Sequence, residues 1–317
     1  LDEFDIAFRC NLVTASGDVM ADYSAGHISS KESRMLIKYL DDHLGKSNIK
    51  FYPGISYRHL MVLKPDVNYN IEEFKKVKCT PPHNILGKKL SKSLPEGKNA
   101  DFLIKLMNKS RPLLEKQEIN KVRIDLKENP ANMIWLWGQG SKPSMPSFRE
   151  RFGLAGSIIS AVDLVKGIGK TIGLEVVNVP GATGYYDTNY RGKAEYALNT
   201  LKDKDFVFVH VEAPDEAGHN GEVREKISAI ENFDSLIVGA FLKHFKELKN
   251  FRILVLPDHA TPISLRTHTA EPVPFAIFGK GITADQFTSF NEKSSSESGL
   301  VFKAGWELMP YLVKKKE

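Results

Sequence analysis

The sequence predicts an α/β protein in which a mostly parallel sheet flanked by helices follows a smaller α/β domain. In the second half, short apolar runs alternate with stretches of helical periodicity, which is the pattern of βαβ units. Two runs, at residues 205–212 and 251–256, are apolar almost throughout, as expected of strands buried on both faces of a parallel sheet. Both runs end in segments that contain Asp and His, and ligands collect beyond the carboxyl ends of such strands.

Residues 1–126 predict a small α/β layer domain made of a hairpin, a helix, a second hairpin and a second helix. Ser29 with Glu32 three residues later is a capping box, and it opens an amphipathic helix that Gly45 ends. The irregular stretch at 66–97 predicts a functional loop able to close over a site. The predicted bounds are strands at 6–13 and 19–23, a helix at 34–44, a hairpin of 50–52 and 56–63 about a Pro53-Gly54 turn, and a helix at 100–118.

Residues 127–317 predict a second, larger domain in which strands and helices alternate. The run at 133–137 predicts a buried strand. Gly138-Gln139-Gly140 after it predicts a tight turn, because the later spacing of a dinucleotide fingerprint is absent. The other predicted bounds are a helix at 156–173, a strand at 174–179, a helix at 190–201 and a long helix at 222–248. That long helix is expected to bury six apolar side chains, those of Ile227, Ile230, Phe233, Ile237, Phe241 and Phe245.

Composition narrows the possible classes of function. The 317 residues are 42% hydrophobic and 26% charged, which is ordinary for a soluble globular protein. The formal net charge of +5 is mild for this length, and without a recognition motif it argues against a nucleic-acid partner. The sequence has neither an apolar stretch of membrane-spanning length nor a signal pattern, which argues against a membrane partner. Cys10 and Cys79 are the only cysteines, so we expect a reducing, cytoplasmic location.

Five side chains able to bind metal follow the strand-like runs of the second domain, and they are Asp215, His219, Asp258, His259 and His268. The link before the run at 273–279 has no helical periodicity, so this strand is expected to return antiparallel and to keep His268 at the same edge. Carboxylates and imidazoles crowded together require a cation to neutralise them. This mixture favours zinc or manganese over calcium or magnesium, which prefer oxygen ligands.

A simpler interpretation of these groups is structural. One Asp-x-x-x-His or one Asp-His pair after a strand is more often a turn residue beside a hydrogen-bonded histidine than a metal ligand. Here three such groups stand at three strand boundaries. Their recurrence favours the metal site.

Short motifs stand at strand and helix boundaries along the whole chain. The most specific is Ala213-Pro214-Asp215 followed by His219, with the later Asp258-His259 pair. The others are Phe8-Arg9-Cys10-Asn11, Pro130-Ala131-Asn132, Trp137-Gly138-Gln139-Gly140, Val165-Lys166-Gly167-Ile168-Gly169, Asp187-Thr188-Asn189-Tyr190 and Thr267-His268-Thr269. Together they resemble the archaeal-type cofactor-independent phosphoglycerate mutases, a group within the alkaline phosphatase superfamily.

This resemblance implies an alkaline-phosphatase-like fold, with residues 1–126 as an inserted cap domain of the substrate-binding type. Residues 127–317 would be the C-terminal part of the metal-binding, phosphatase-like domain. The implied activity is that of an isomerase of glycolysis and gluconeogenesis. It would interconvert 3-phosphoglycerate and 2-phosphoglycerate through a phosphoserine intermediate, without 2,3-bisphosphoglycerate.

The resemblance also implies two divalent ions. By the family pattern, Asp215, His219 and His268 hold one ion. Asp258 and His259 hold the second, together with an early Asp and a nucleophilic Ser. Manganese or zinc is expected, with magnesium as a third choice.

The expected partner is a small anionic phosphorylated substrate, so basic side chains should face it. Arg9 and Arg58 lie on predicted strands of the cap, and Arg9 belongs to a family-like motif. We rank Arg9 first and Arg58 second, followed by His59, His83 and Lys166. Each of them, taken alone, is as easily explained as an ordinary surface cation.

The catalytic nucleophile has no match among these residues. In the resembled family the early Asp and the Ser precede the cap, whereas Ser16, Ser29 and Ser157 are explained here by a turn, a helix cap and a helix. We therefore expect the larger part of a mutase, inactive by itself, whose second metal site is weak. Two alternatives stay open: a metal-dependent phosphatase or mutase of another phosphorylated metabolite, and a metal-binding homologue without activity. The oligomeric state also stays open.

Overall fold

The computed structural model of the chain describes residues 1–67, 70–244 and 250–313. It forms two compact units, Leu1–Ser144 and Met145–Glu317. The division therefore lies after residue 144 rather than near residue 126. The reason is that the strand Met133–Ser141, expected in the second domain, pairs antiparallel with the first strand of the chain.

The first unit is an antiparallel sheet with helices packed against it. Its elements are β1 (Ile6–Ser16), β2 (Val19–Asp22), α1 (Ser30–Leu44), β3 (Ile49–Ile55), β4 (Arg58–Leu63), α2 (Ile71–Lys75), α3 (Ala100–Glu115), α4 (Glu118–Asp125) and β5 (Met133–Ser141). The strand order is β2-β1-β4-β3. β5 also pairs with β1, on the edge of β1 opposite to β4. The predicted capping box is confirmed, because the Ser29 hydroxyl accepts from the Glu32 N–H and the Glu32 carboxylate accepts from the Ser29 N–H.

Two turn predictions in the first unit were wrong. Pro53 and Gly54 lie inside β3 at a register irregularity, and the chain reverses at Ser56, whose φ is +53°. Gly138 is part of β5, which continues to Ser141 instead of ending in a tight turn. Its φ of +56° forms a bulge opposite β1, a conformation that glycine adopts without strain.

The second unit contains two small sheets among its described residues. Its elements are α5 (Phe148–Phe152), β6 (Gly156–Ile159), α6 (Asp163–Thr171), β7 (Glu175–Val176), α7 (Tyr190–Thr200), β8 (Phe206–Val209), α8 (Ala213–Asn220), α9 (Val223–Asn232), α10 (Gly239–His244), β9 (Arg252–Val255), β10 (Ala276–Gly279), α11 (Glu292–Glu297) and α12 (Leu308–Val313). The parallel pairs form the order β7-β6-β8. β10 pairs antiparallel with β9, which confirms the antiparallel return predicted for the third run.

The helices of the second unit differ from prediction in two places. The stretch expected as one helix at 156–173 begins with β6, because the run through Ile158 and Ile159 is buried and β-branched, and only then forms α6. The helix expected at 222–248 is α9, a π-helical segment Phe233–Val238 and α10, while Phe245 lies outside the described residues. Ile237 is buried as predicted, whereas Ile227 and Ile230 are each about half exposed. Within the described ranges, no helix has the length and apolar character needed to cross a membrane.

Candidate metal centre

The helix after β8 carries two of the predicted ligands on one face. α8 begins at Ala213, with Pro214 in its first turn, where a missing N–H costs nothing. Asp215 in the first turn and His219 in the last are four residues apart and therefore neighbours on the helix surface. The Nε2 atom of His219 lies 3.3 Å from Oδ2 of Asp215.

The segment after β9 brings the other three predicted ligands to the same place. Asp258 and His259 follow shortly after the end of the strand at Val255, and a β-bridge between Ala260 and Thr269 returns the chain beside them. This bridge holds His268 next to the carboxylate of Asp215, with Nε2 of His268 at 3.3 Å from Oδ1. The structure therefore gathers side chains from two separate strand ends.

The five residues form one network with Asp215 at its centre. Nε2 of His219 and Nε2 of His268 are 3.0 Å apart, and the rings of His259 and His268 lie 3.8 Å apart. Ligand atoms of Asp215, His259 and His268 all lie within 4.8 Å of one another. Asp258 is more peripheral, since its side chain is 71% exposed and contacts Nε2 of His259 at 3.4 Å.

The hydrogen bond on the far side of His219 indicates what its ring faces. Nδ1 lies 3.0 Å from the carbonyl oxygen of Arg266, which can only accept, so Nδ1 carries a proton. In the neutral ring, Nε2 then directs its lone pair toward Asp215 and His268. A lone pair 3.3 Å from a carboxylate oxygen is favourable when a cation lies between them. Nδ1–H donated to a carbonyl is also the usual second contact of a metal-bound histidine, so the residues fit a divalent ion.

A threonine and a lysine that the sequence analysis missed support Asp215. The buried Thr261 hydroxyl donates to Oδ1 of Asp215 at 2.5 Å and lies 3.2 Å from Nδ1 of His259. Nζ of Lys226 donates to the backbone carbonyl of Thr261 at 2.7 Å. The only signal in the sequence was a hydroxyl residue shortly after the Asp258-His259 pair.

A second group missed by sequence reasoning lies at the end of β8. His210 contacts the Ser160 hydroxyl through Nδ1 at 3.1 Å and the Glu212 carboxylate through Nε2 at 3.3 Å. Burial raises the pKa of Glu212, and the negative charge of Asp215 adds to this shift. Burial lowers the pKa of His210, so the ring favours its neutral form. Both residues lie within the apolar run at 205–212, so they were interpreted as part of a buried strand.

In the first unit, three of the predicted substrate ligands lie beside aromatic rings. The Arg9 guanidinium lies 4.8 Å from the centre of the Trp137 ring, and the His83 ring lies 5.5 Å from the same ring. The ring series continues from His83 to Tyr23 at 6.3 Å and from Tyr23 to Tyr57 at 6.0 Å. We call Tyr23, Tyr57, His83 and Trp137 the aromatic strip. Arg58 lies at its other end, 5.5 Å from the centre of the Tyr57 ring.

The remaining two predicted ligands have different surroundings. His59 is 3% exposed, and burial lowers its pKa to about 4. Its Nδ1 accepts from the N–H of Gly54 at 3.0 Å, so this residue is a buried neutral imidazole. Lys166 lies half-buried on α6 of the second unit, where its charge reaches Lys193.

The chain is similar to known metalloenzymes. A family model described as the Metalloenzyme superfamily matches residues 6–315. The 2,3-bisphosphoglycerate-independent phosphoglycerate mutase of Methanosarcina barkeri is 52% identical over 314 residues, which cover 98% of this chain and 77% of that relative. The solved structure of a Pyrococcus horikoshii protein matches 100% of this chain and 76% of its own, with a TM-score of 0.80 and 26% identity. The solved structure of the cofactor-independent phosphoglycerate mutase from Thermoplasma acidophilum matches 98% of this chain and 76% of the other chain, with a TM-score of 0.64. At 24% identity, this similarity shows the fold alone.

Proposed function

This chain belongs to the 2,3-bisphosphoglycerate-independent phosphoglycerate mutases of the Metalloenzyme superfamily, and we propose that the metal centre of its second unit serves their reaction. That reaction is the interconversion of 3-phosphoglycerate and 2-phosphoglycerate, so the enzyme is an isomerase. The observation that carries the proposal is the His219 ring. Its Nδ1 is engaged by the Arg266 carbonyl, while its Nε2 faces Asp215 and His268.

The proposed ligands of the first ion are Asp215, His219 and His268. Those of a second ion are Asp258 and His259, whose ring lies 4.0 Å from Oδ1 of Asp215. Mixed carboxylate and imidazole donors favour manganese or zinc, with magnesium as a third choice. When bound, such ions neutralise the charge of the transferring phosphoryl group and lower the pKa of an attacking hydroxyl.

The first unit is proposed to bind the carboxylate and phosphate groups of phosphoglycerate. Arg9 is the leading ligand, because its guanidinium is exposed and its plane is supported by Trp137, which limits its rotamers. His83 on the same ring and Arg58 at the other end of the aromatic strip are the next candidates. Lys166 in the second unit stays a proposed ligand, whereas the burial of His59 disfavours a direct contact with substrate.

We propose the cytoplasm as the location and glycolysis and gluconeogenesis as the metabolic setting. Cys10 and Cys79 are both free thiols. Free thiols suit a reducing compartment. Burial raises the pKa of Cys79 to about 11, so this thiol is kept unreactive at neutral pH.

The test uses the protein expressed from its complete reading frame, freed of metal with a chelator and then supplied with Mn²⁺. Phosphorus NMR separates 2-phosphoglycerate, 3-phosphoglycerate and inorganic phosphate in one spectrum. We expect no conversion without metal and conversion with it. His219→Ala and His268→Ala should each lower kcat/KM by about a hundredfold or more, because each removes a ligand of the first ion. His244→Ala is the matched control, because this exposed imidazole of the same unit contacts its own helix carbonyl and should leave the rate within about twofold.

Three outcomes would contradict the proposal. Release of inorganic phosphate without formation of the other phosphoglycerate would indicate a phosphatase. Tight Mn²⁺ binding without turnover of either glycerate would indicate an inactive homologue. Failure to bind a divalent ion would make the network around Asp215 structural.

A further inference from the structure

The corner between β8 and α8 determines where two of the proposed ligands lie. β8 ends at Val209, α8 begins at Ala213, and the residues between them belong to neither element. Asp215 lies in the first turn of α8 and His219 in its last. Any shift of this corner would move both side chains together, because the helix is a rigid body over two turns.

A fully buried lysine from a different helix contacts this corner. Lys193 lies on α7 and has no exposed surface. Its Nζ donates to the backbone carbonyl of His210 at 3.1 Å and is attracted by the carboxylate of Glu212. Lysine is among the residues least often found fully buried, and only a paired charge makes such burial tolerable.

The energetic cost of this arrangement indicates its purpose. Removing an ammonium group from water costs several kcal/mol even in relaxed proteins. Burial accordingly lowers the pKa of Lys193 to about 8, although Glu212 opposes this shift and Lys166 adds to it. A methionine would fill a similar volume without that cost. What only the ammonium supplies is directed donors for the carbonyl and the carboxylate of the corner.

The ring of His210 extends the contact to a third element. It joins the Ser160 hydroxyl just after β6 to the Glu212 carboxylate just before α8. We call Ser160, Lys193, His210 and Glu212 the corner cluster. The cluster connects the ends of β6 and β8 with α7 and the start of α8, so it constrains the corner from three directions.

We propose that Lys193 is a positioning residue for the metal centre: it holds the corner between β8 and α8 and thereby the side chains of Asp215 and His219. The inference rests on the proposed metal site and adds a residue that touches neither metal ligand. Comparable residues are those that hydrogen-bond metal ligands without binding the metal. Their loss lowers metal affinity by about 10- to 100-fold.

The test compares Lys193→Met with Lys202→Met, an exposed lysine just beyond the end of α7. The dissociation constant for Mn²⁺ is measured by calorimetry, and the visible absorption spectrum of the Co²⁺-loaded protein reports the ligand geometry. Lys193→Met should raise the dissociation constant by about 10- to 100-fold and alter the Co²⁺ bands. Lys202→Met should change neither. A role in stability alone would shift the unfolding temperature and leave the Co²⁺ spectrum as it is.

The outcomes separate this inference from the proposed function. If the unaltered protein binds no metal, the proposed metal centre fails. If it binds Mn²⁺ and a folded Lys193→Met binds equally well with an unchanged Co²⁺ spectrum, the positioning role is overturned. Should Lys193→Met not fold, Glu212→Gln carries the test, since it removes the charge that Lys193 faces. An unchanged Co²⁺ spectrum in that variant would overturn the role as well.

Discussion

At the scale of single residues, histidine chemistry in this chain is decided by what faces each ring nitrogen. His219 has a carbonyl at Nδ1, so its Nε2 is directed at Asp215 and His268. His59 has a backbone N–H at Nδ1, and its buried Nε2 has no hydrogen-bond partner among the described residues. The same side chain is therefore a metal ligand candidate in one place and a neutral core residue in the other.

His59 should make the protein sensitive to mild acid. Its pKa in the folded protein is about 4, below the ordinary value of 6.5. Between these two values the unfolded chain binds a proton that the folded chain does not. The free energy of unfolding should therefore fall as the pH drops from 6.5 to 4, by up to about 3 kcal/mol. Above pH 6.5 His59 is neutral in both states, so it should cause no change of stability with pH.

Urea unfolding at a series of pH values, for the natural protein and for His59→Asn, checks this expectation. The Asn carbonyl oxygen can take over the hydrogen bond from Gly54 but does not titrate. The variant should be less stable at neutral pH, because a smaller side chain leaves a cavity, and its pH dependence should be flatter. Parallel pH curves for the two proteins would rule out His59 as the cause.

At the scale of elements, the metal centre depends on a close approach between α8 and the segment after β9. Gly218 makes this approach possible. A Cβ atom on it would lie 2.6 Å from the carbonyl oxygen of Thr261 and 2.9 Å from the Thr261 methyl group. Thr261 is also the residue that hydrogen-bonds Asp215. The spacing of the two elements and the placement of the ligands are therefore coupled.

Gly218→Ala should weaken metal binding although alanine is the better helix former. The added methyl group would push α8 away from Thr261 and cost about 1–3 kcal/mol, as overpacking usually does. We expect the Mn²⁺ dissociation constant to rise by about tenfold or more, measured by calorimetry. Gly167→Ala on α6 is the matched control, because a Cβ there meets nothing within 4 Å. Equal Mn²⁺ affinity in the two variants would contradict the coupling.

At the scale of the whole molecule, the chain is two units with separate hydrophobic cores. Among the described residues, the buried members of the first unit's large core lie between Ile6 and Leu136. β5 supplies Ile134, Trp135 and Leu136 to it, all with no exposed surface. The second unit holds its buried apolar residues in smaller clusters. The alkaline-phosphatase-like α/β class predicted from sequence is confirmed by the family match and the solved relatives.

Residues 1–144 should fold by themselves, whereas residues 1–126 should not. The shorter piece lacks β5 and hence one of the two neighbours of β1 along most of its length. Thermal unfolding followed by circular dichroism should be cooperative for the longer piece only, with dispersed amide signals in its proton NMR spectrum. Cooperative unfolding of the shorter piece would mean that β5 is dispensable for the first unit.

The sequence by itself determined the features that depend on neighbouring residues. The capping box of α1, the strands of the first hairpin, and the Asp and His side chains just beyond strand ends follow from local patterns of burial, turns and charge. The family was also evident from its motifs. Each such pattern is contained in a short stretch of sequence and can be recognised without the rest of the chain.

Only the tertiary structure decided which distant residues meet. β5 pairs with β1 across more than a hundred residues, and this moved the division of the chain to residue 144. The sequence placed Asp215, His259 and His268 at one edge but not at their observed distances, and nothing local in it marks the buried Lys193 as a partner of the corner before α8. The physical reason is that strand pairing and buried-charge placement are set by contacts between segments far apart in sequence, which a local pattern does not encode.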